Sequence, residues 1–132
     1  MGKIINIPNR EDLELFLENC TVGVHLVASD GSILWANQTE LEFLGYNKED
    51  YFGRSIKDFH KDQDVINKIL TILSDGSSLH TYPARLKGKD GNTRHVLINS
   101  NVFYEEGEFV HTRCFTTGIS ETVYDQLREE LN

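Results

Sequence analysis

Cysteine, proline, tryptophan and basic charge are all scarce in this chain. Two cysteines, Cys20 and Cys114, cannot build a disulfide scaffold and have no metal-ligand spacing, so each is expected to pack as a small apolar residue in a reducing compartment. Thirteen basic residues stand against 21 acidic ones, a net charge of −8, which argues against nucleic acid and anionic lipid as partners because both require a concentrated basic footprint. No apolar run approaches the length of a membrane span, the first residues lack a signal-peptide core, and Asn6 stands where a myristoylation pattern requires Ser or Thr. The expectation is a cytoplasmic domain without direct membrane contact. There is no Gly-rich phosphate loop and no nucleophile elbow or nucleophile paired with a base. The chain is therefore read as non-catalytic, with any kinase activity lying outside these residues.

What is present is a regular alternation of strand and helix signals. From Val24 onward two strand-like segments, rich in Val, Leu, Ile and Trp, meet at Asp30-Gly31, a pair suited to the positive φ angles of a hairpin turn. Asn37 then stands three residues before Glu40, the spacing of a capping box, which predicts a helix ending at Gly45. A turn is expected near Asn47–Tyr51. A longer helix follows from about Asp62 to Leu73, with Val65, Ile66, Ile69, Leu70 and Leu73 at helical spacing, Asp62 or Asp64 as cap and Asp75-Gly76 as stop. Two further hairpins turn at Lys89-Asp90-Gly91-Asn92 and at Glu105-Glu106-Gly107. Before all this, a leader over residues 1 to 8 runs into a helix capped by Asn9, whose Leu13, Phe16 and Leu17 form a narrow apolar stripe. At the other end Ser120 is placed to cap a helix with Ile119, Val123, Leu127 and Leu131 along one seam.

The strand–Asp-Gly–strand–Asn37 segment resembles a PAS domain. The likeness continues through Glu42-Phe43-Leu44-Gly45-Tyr46, Glu49 to Arg54 and Phe59-His60-Lys61-Asp62, then the Lys89-Asp90-Gly91 hairpin and the strands over 94–102 and 111–116. It is similar to PAS sensor modules of bacterial histidine kinases. The resemblance implies an α+β fold: a five-stranded antiparallel sheet cupped by short helices, with flanking helices at both ends. The chain then divides into a leader and amphipathic helix over 1–19, the PAS domain over 20–118, and the start of an output helix over 119–132. Relatives commonly carry Asp-Ile-Thr at the last junction; here Gly118-Ile119-Ser120 lacks the Asp and with it a polar latch.

Strand parity selects the side chains of the cup, since residues two apart share a face. Tyr82, Ala84 and Leu86 are one inward set, and Val96, Ile98, Ser100 and Val102 another, with Leu97 an apolar outlier on the polar side. On the last strand parity alone leaves both faces open. Similarity to flavin-binding relatives implies that Thr112, Cys114 and Thr116 point inward, together with His25, Val27 and Ser29 of the first strand. That leaves Phe109, Phe115 and Leu97 on an outer face, expected to be covered by the helix of Leu13, Phe16 and Leu17 or by a second copy in a homodimer.

His25 is the leading polar candidate, either as a ligand contact or as a satisfied core histidine. Metal is not expected, because the five histidines show no ligand spacing. Haem is not expected either: relatives take its ligand from the long helix, and His60 lies just before it, where it reads as a brace beside Asp62. The flavin photosensors require a cysteine after Gly53-Arg54, and this chain has Ile56 there. Two functions follow from the resemblance. One is a signalling module that senses a small unidentified ligand, or relays a partner's state, to an effector such as a histidine kinase. The other is a ligand-free dimerisation or docking module of a transcriptional or cyclic-nucleotide regulator, its cup plugged by Tyr82 and Trp35.

Overall fold

A computed structural model describes residues 9–131. Helix α1 (Arg10–Asn19) precedes strands β1 (Gly23–Val27) and β2 (Ile33–Ala36). Helices α2 (Gln38–Leu44) and α3 (Lys48–Tyr51), a 3₁₀ turn (Ile56–Phe59) and α4 (Gln63–Ser74) follow. Strands β3 (Leu79–Lys87), β4 (Thr93–Glu105) and β5 (Glu108–Gly118) lead into α5 (Glu121–Leu131). The sheet is antiparallel throughout, in the order β2-β1-β5-β4-β3, so the first hairpin docks beside the last strand.

The turns obey the local chemistry of their residues. Gly31 and Gly91 take positive φ, and Glu106-Gly107 both do, which closes β4 onto β5 with Glu105 opposite Glu108. Helix α1 begins with a reciprocal capping box between Asn9 and Asp12, and Ser120 Oγ accepts from Val123 N at the start of α5. The long helix α4 is amphipathic, as its sequence periodicity requires, and buries Val65, Ile66, Ile69 and Leu73 against the sheet. Its N-cap departs from expectation. Asp62 makes no capping bond and instead holds Arg85 through two hydrogen bonds of 2.8 and 2.6 Å, which fastens the helix to the β3 edge.

Asn37 caps α2 as expected, accepting from Glu40 N at 2.9 Å, but Glu40 does not reach back. The Asn37 amide is already bonded to the Val24 carbonyl, so the Glu40 carboxylate turns into the sheet toward His25. Gly23 makes room for it. A Cβ there would lie 2.5 Å from Glu40 Oε2. The Asn37 side chain itself is wholly buried and joins three elements: Oδ1 also accepts from Val24 N, while Nδ2 donates to the Leu17 and Val22 carbonyls.

Inner and outer faces follow strand parity over most of the sheet. Ala84, Leu86, Val96 and Ile98 are buried in the core with Tyr51 and Phe59, whereas Arg85, His95 and Leu97 face the other way. Among the described residues no helix is long and apolar enough to cross a membrane.

Asn37→Ala orphans one buried sheet amide and one helix amide, and is expected to cost about 3 kcal/mol of stability. Urea denaturation of the purified chain measures it, and Asn37→Asp, which keeps the acceptor and loses the donors, is expected to fall between the two.

Candidate functional site

The face of the sheet turned toward α2, α3 and α4 holds a small space of about 20 Å³, bordered by His25, Val27, Ile98, Thr112, Cys114 and His60, with α4 along one side. That volume is enough for one water-sized molecule, against the several hundred Å³ of a drug-sized site. The space is small because Ile56, Ile66, Ile69 and Leu73 interdigitate beneath the sheet.

Around it stands a connected polar cluster. His25 Nδ1 lies 3.4 Å from Glu40 Oε2, and both side chains are buried. Cys114 Sγ lies 2.9 Å from Ser100 Oγ and 3.2 Å from Thr112 Oγ1, and that same Thr112 hydroxyl accepts from Val27 N. Strand order explains the meeting: β1 and β4 flank β5, with His25 opposite Cys114 and Cys114 opposite Ser100. Burial opposes charge on His25, yet the adjacent Cys114 and Glu40 outweigh it and raise the imidazole to about 10. The Cys114 thiol is lowered in turn: desolvation works against this, but the His25 charge and the Ser100 and Thr112 hydroxyls prevail. His60 behaves in the opposite way, lowered to about 3 by burial and then by the charge of His25. Three buried atoms of this region have no hydrogen-bond partner: Glu40 Oε1, His60 Nδ1 and Thr116 Oγ1.

Of the expected cup residues, His25, Val27, Ile98, Thr112 and Cys114 border this space and Ser100 meets Cys114, while Ala84, Leu86 and Val96 lie in the core and Thr116 is buried on the same face of β5. Two do not join them. β1 ends at Val27, so Ser29 falls in the exposed hairpin turn. Tyr82 shares a face with Ile98 by register but sits half-buried at the β3 edge, with the Arg128 guanidinium 5.6 Å from its ring centre. Trp35 does not plug the cup either; it lies on the opposite face of the sheet. Glu40 was assigned by its spacing to a cap, and His60 to bracing a helix start. Both instead enter the cluster, His60 because its backbone pairs with Leu86 and swings the ring inward.

On the outer face, Leu97 and Phe115 stand where the likeness to flavin-binding relatives puts them, but Phe109 does not. A bulge between Phe103 and Tyr104 shifts the register, so Phe109 pairs with Tyr104 and turns to the helix side, near Leu70, Leu73 and Thr112. Helix α1 covers the outer face only partly: Leu13, Phe16 and Leu17 stay exposed, and a groove of about 520 Å³ opens between Leu17 and Glu14 of α1 and Val24, Trp35 and Phe115 of the sheet. Helix α5 lies across the other half of this face, Tyr124 packing on His95 and Arg85, and its Val123 and Leu131 remain exposed. Among the described residues no group of three or more His, Cys, Asp or Glu is arranged to hold a metal ion.

A sheet cupped on one side by short helices, with a polar cluster at its centre and a terminal helix on each half of its back, defines an α+β cupped-sheet domain. The chain belongs to the PAS family, whose fold profile matches residues 11–116. Among solved structures it is similar to the PAS domain of an HTR-like protein from Haloarcula marismortui, at 26% identity and a TM-score of 0.72 over 83% of this chain and 90% of that one. It is also similar in fold to the PAS domain of a protein from Colwellia psychrerythraea, at 19% identity and a TM-score of 0.73 over 84% and 97% of the two chains. The Aureochrome1 LOV domain, a blue-light photoreceptor, matches in fold at 20% identity and a TM-score of 0.73 over 98% of each chain. No curated protein sequence matches significantly.

The cluster sets a pH dependence. Both imidazoles titrate at 6.5 when unfolded, so with His60 at about 3 the unfolded chain binds the extra proton between these values, and stability falls as pH drops below 6.5. His25, at about 10, contributes stability that is complete below 6.5 and is lost as pH rises toward 10. The lowered thiol of Cys114 offsets that loss below its ordinary value of 9.0, leaving the decline concentrated above it. Between pH 7 and pH 5 the wild type is expected to lose about 2 kcal/mol through His60, at roughly 1.4 kcal/mol per unit once the pH is well below 6.5. Urea titrations at both pH values test this, and in His60→Gln the difference should largely vanish.

Proposed function

We propose that this domain is a signalling module that self-associates through its outer sheet face and relays the state of its cup to an effector, such as a histidine kinase, through α1 and α5. The observation that supports this reading is the contrast between the two faces. The cup is packed to about 20 Å³, while the outer face keeps an apolar groove of about 520 Å³ with Leu17, Trp35 and Phe115 on its walls. Apolar area of that kind, next to exposed Leu13 and Phe16, favours contact with another protein surface, and a homodimer places both grooves in one interface.

The route from cup to output is short. Cys114 faces the cup and its neighbour Phe115 faces the groove, so one strand presents both sites on opposite faces. Strand β5 then continues into α5 with only Ile119 and Ser120 between, and the Ile119 amide is held by the His95 carbonyl. A shift of β5 relative to β1 and β4 therefore changes the seat of both terminal helices. Population shift by about 1 to 3 kcal/mol between two such seats suffices for regulation. The reading puts the domain in the cytoplasm, upstream of a kinase or comparable effector.

Sensing of a drug-sized ligand is the less favoured reading, because Ile56 and the α4 side chains occupy the space such a ligand needs. The same packing disfavours a flavin, although light-oxygen-voltage domains share the fold.

Phe115→Glu puts a charge at the groove without touching the buried core, since Phe115 is 40% exposed. Analytical ultracentrifugation is expected to show the dimer dissociation constant weakened by at least about tenfold. An unchanged monomer–dimer equilibrium would remove the outer face from the mechanism.

A further inference from the structure

We propose that Cys114 is a modification site: hydrogen peroxide oxidises it to a sulfenic acid inside the cup, with His25 supplying the proton to the departing oxygen. The inference rests on the reading of the cup as the input site, and names the input as a small oxidant in place of a larger bound ligand.

Four observations converge on Cys114. The thiol has an imidazole, His25, directly opposite it across the β1–β5 pair, and His25 is in turn held by Glu40 at 3.4 Å. Two hydroxyls, Ser100 at 2.9 Å and Thr112 at 3.2 Å, are within hydrogen-bond distance of Sγ. The adjoining space of about 20 Å³ admits a molecule of water or peroxide size and little else. Finally, a surface cleft lies against the cup. A cleft of about 220 Å³, bounded outside by Ser29, Lys57 and Phe109, shares Leu70, Leu73 and Thr112 with the cup wall. A cysteine buried in purely apolar surroundings is inert; this one has an imidazole opposite it, two hydrogen-bonding hydroxyls and a surface cleft against its wall.

The step balances. With its proton passed to His25, the Cys114 sulfur attacks one peroxide oxygen, the S–O bond forms as the O–O bond breaks, and the leaving hydroxide takes the proton back from His25 as water. Sulfur gives up two electrons and the peroxide accepts them. The product is a sulfenic acid, which one thiol converts to a mixed disulfide with release of water and a second thiol then returns to the starting state, leaving as the disulfide of the two. The new oxygen enters a region where His60 Nδ1, whose ring lines the cup, and Thr116 Oγ1, two residues along β5 on the same face, are buried without partners. Unpartnered buried polar atoms of this kind are uncommon and call for a role.

Cys20 supplies the internal control. It is more exposed than Cys114, but its Sγ faces the carbonyls of Leu17 and Val22 and the Asn37 amide, and among the described residues no basic side chain is hydrogen-bonded to it. If exposure governs reactivity, Cys20 reacts first; if the cluster governs it, Cys114 does.

The test treats the whole purified chain with hydrogen peroxide for graded times, removes the oxidant with catalase, then unfolds in urea with dimedone to label sulfenic acids for peptide mass spectrometry. Cys114 is expected to be labelled about tenfold faster than Cys20, and faster in the folded than in the urea-unfolded chain. His25→Gln should reduce the Cys114 rate about tenfold and leave that of Cys20 unchanged. Labelling of Cys20 first, or a Cys114 rate no greater in the folded chain than in the unfolded one, overturns the proposal without recourse to any variant. Such a failure leaves the outer-face reading intact, since sedimentation of the untreated protein tests that separately.

Discussion

The buried side chain of Asn37 is the constraint on which the rest of this domain depends. Its oxygen takes amides from β1 and α2, and its nitrogen holds the carbonyls of Leu17 and Val22, so one residue fixes where α1 ends, where β1 begins and how α2 leaves the sheet. Buried polar groups that satisfy several partners at once specify geometry more sharply than apolar contacts do, because a small displacement breaks several hydrogen bonds together. With α2 held this way, Glu40 has one direction left to point. It enters the space left by Gly23, meets His25, and thereby joins the helix layer to the centre of the sheet.

The polar cluster at the sheet centre is costly for a domain of this size, since each charge taken from water must be offset by its neighbours. A core of aliphatic residues would fill the same place without that cost. The cluster links His25 of β1, Cys114 of β5, Ser100 of β4 and Glu40 of α2, so any change in the charge or size of one member is felt by three strands and a helix. Those strands carry the apolar groove on their back, and β5 runs directly into α5. Chemistry in the cup and contacts outside it are thus separated by the thickness of a single sheet.

Much of this architecture was legible in the residue order. The Asp-Gly and Glu-Gly pairs located the turns, the spacing of Val65 through Leu73 located α4, and alternation on β4 chose its inner face because Val96, Ile98 and Ser100 differ plainly from His95, Asn99 and Asn101. The site was partly legible. His25, Thr112, Cys114 and Thr116 are expected inward and all four are buried, the first three around one space. Phe109 is placed outward by the likeness to flavin-binding relatives and lies inward, because a face assigned along a strand holds only until a bulge shifts the register, and nothing near Phe103 and Tyr104 announces one. Glu40 and His60 were hidden for a different reason: each had a satisfactory local explanation, as a cap partner and as a helix brace.

The sequence by itself determined the elements, their turns and the family they form, since hydrophobic period, capping residues and positive-φ positions act over a few residues. Only the tertiary structure decided the contents of the cup. Whether a carboxylate caps its own helix or crosses to a histidine depends on which amide the sheet has already taken. Whether a cup holds a ligand or a single small molecule depends on how Ile56 and the α4 side chains interlock beneath five strands. Both outcomes are set by competition among groups distant in the chain, and such competition is settled only when the whole domain is packed.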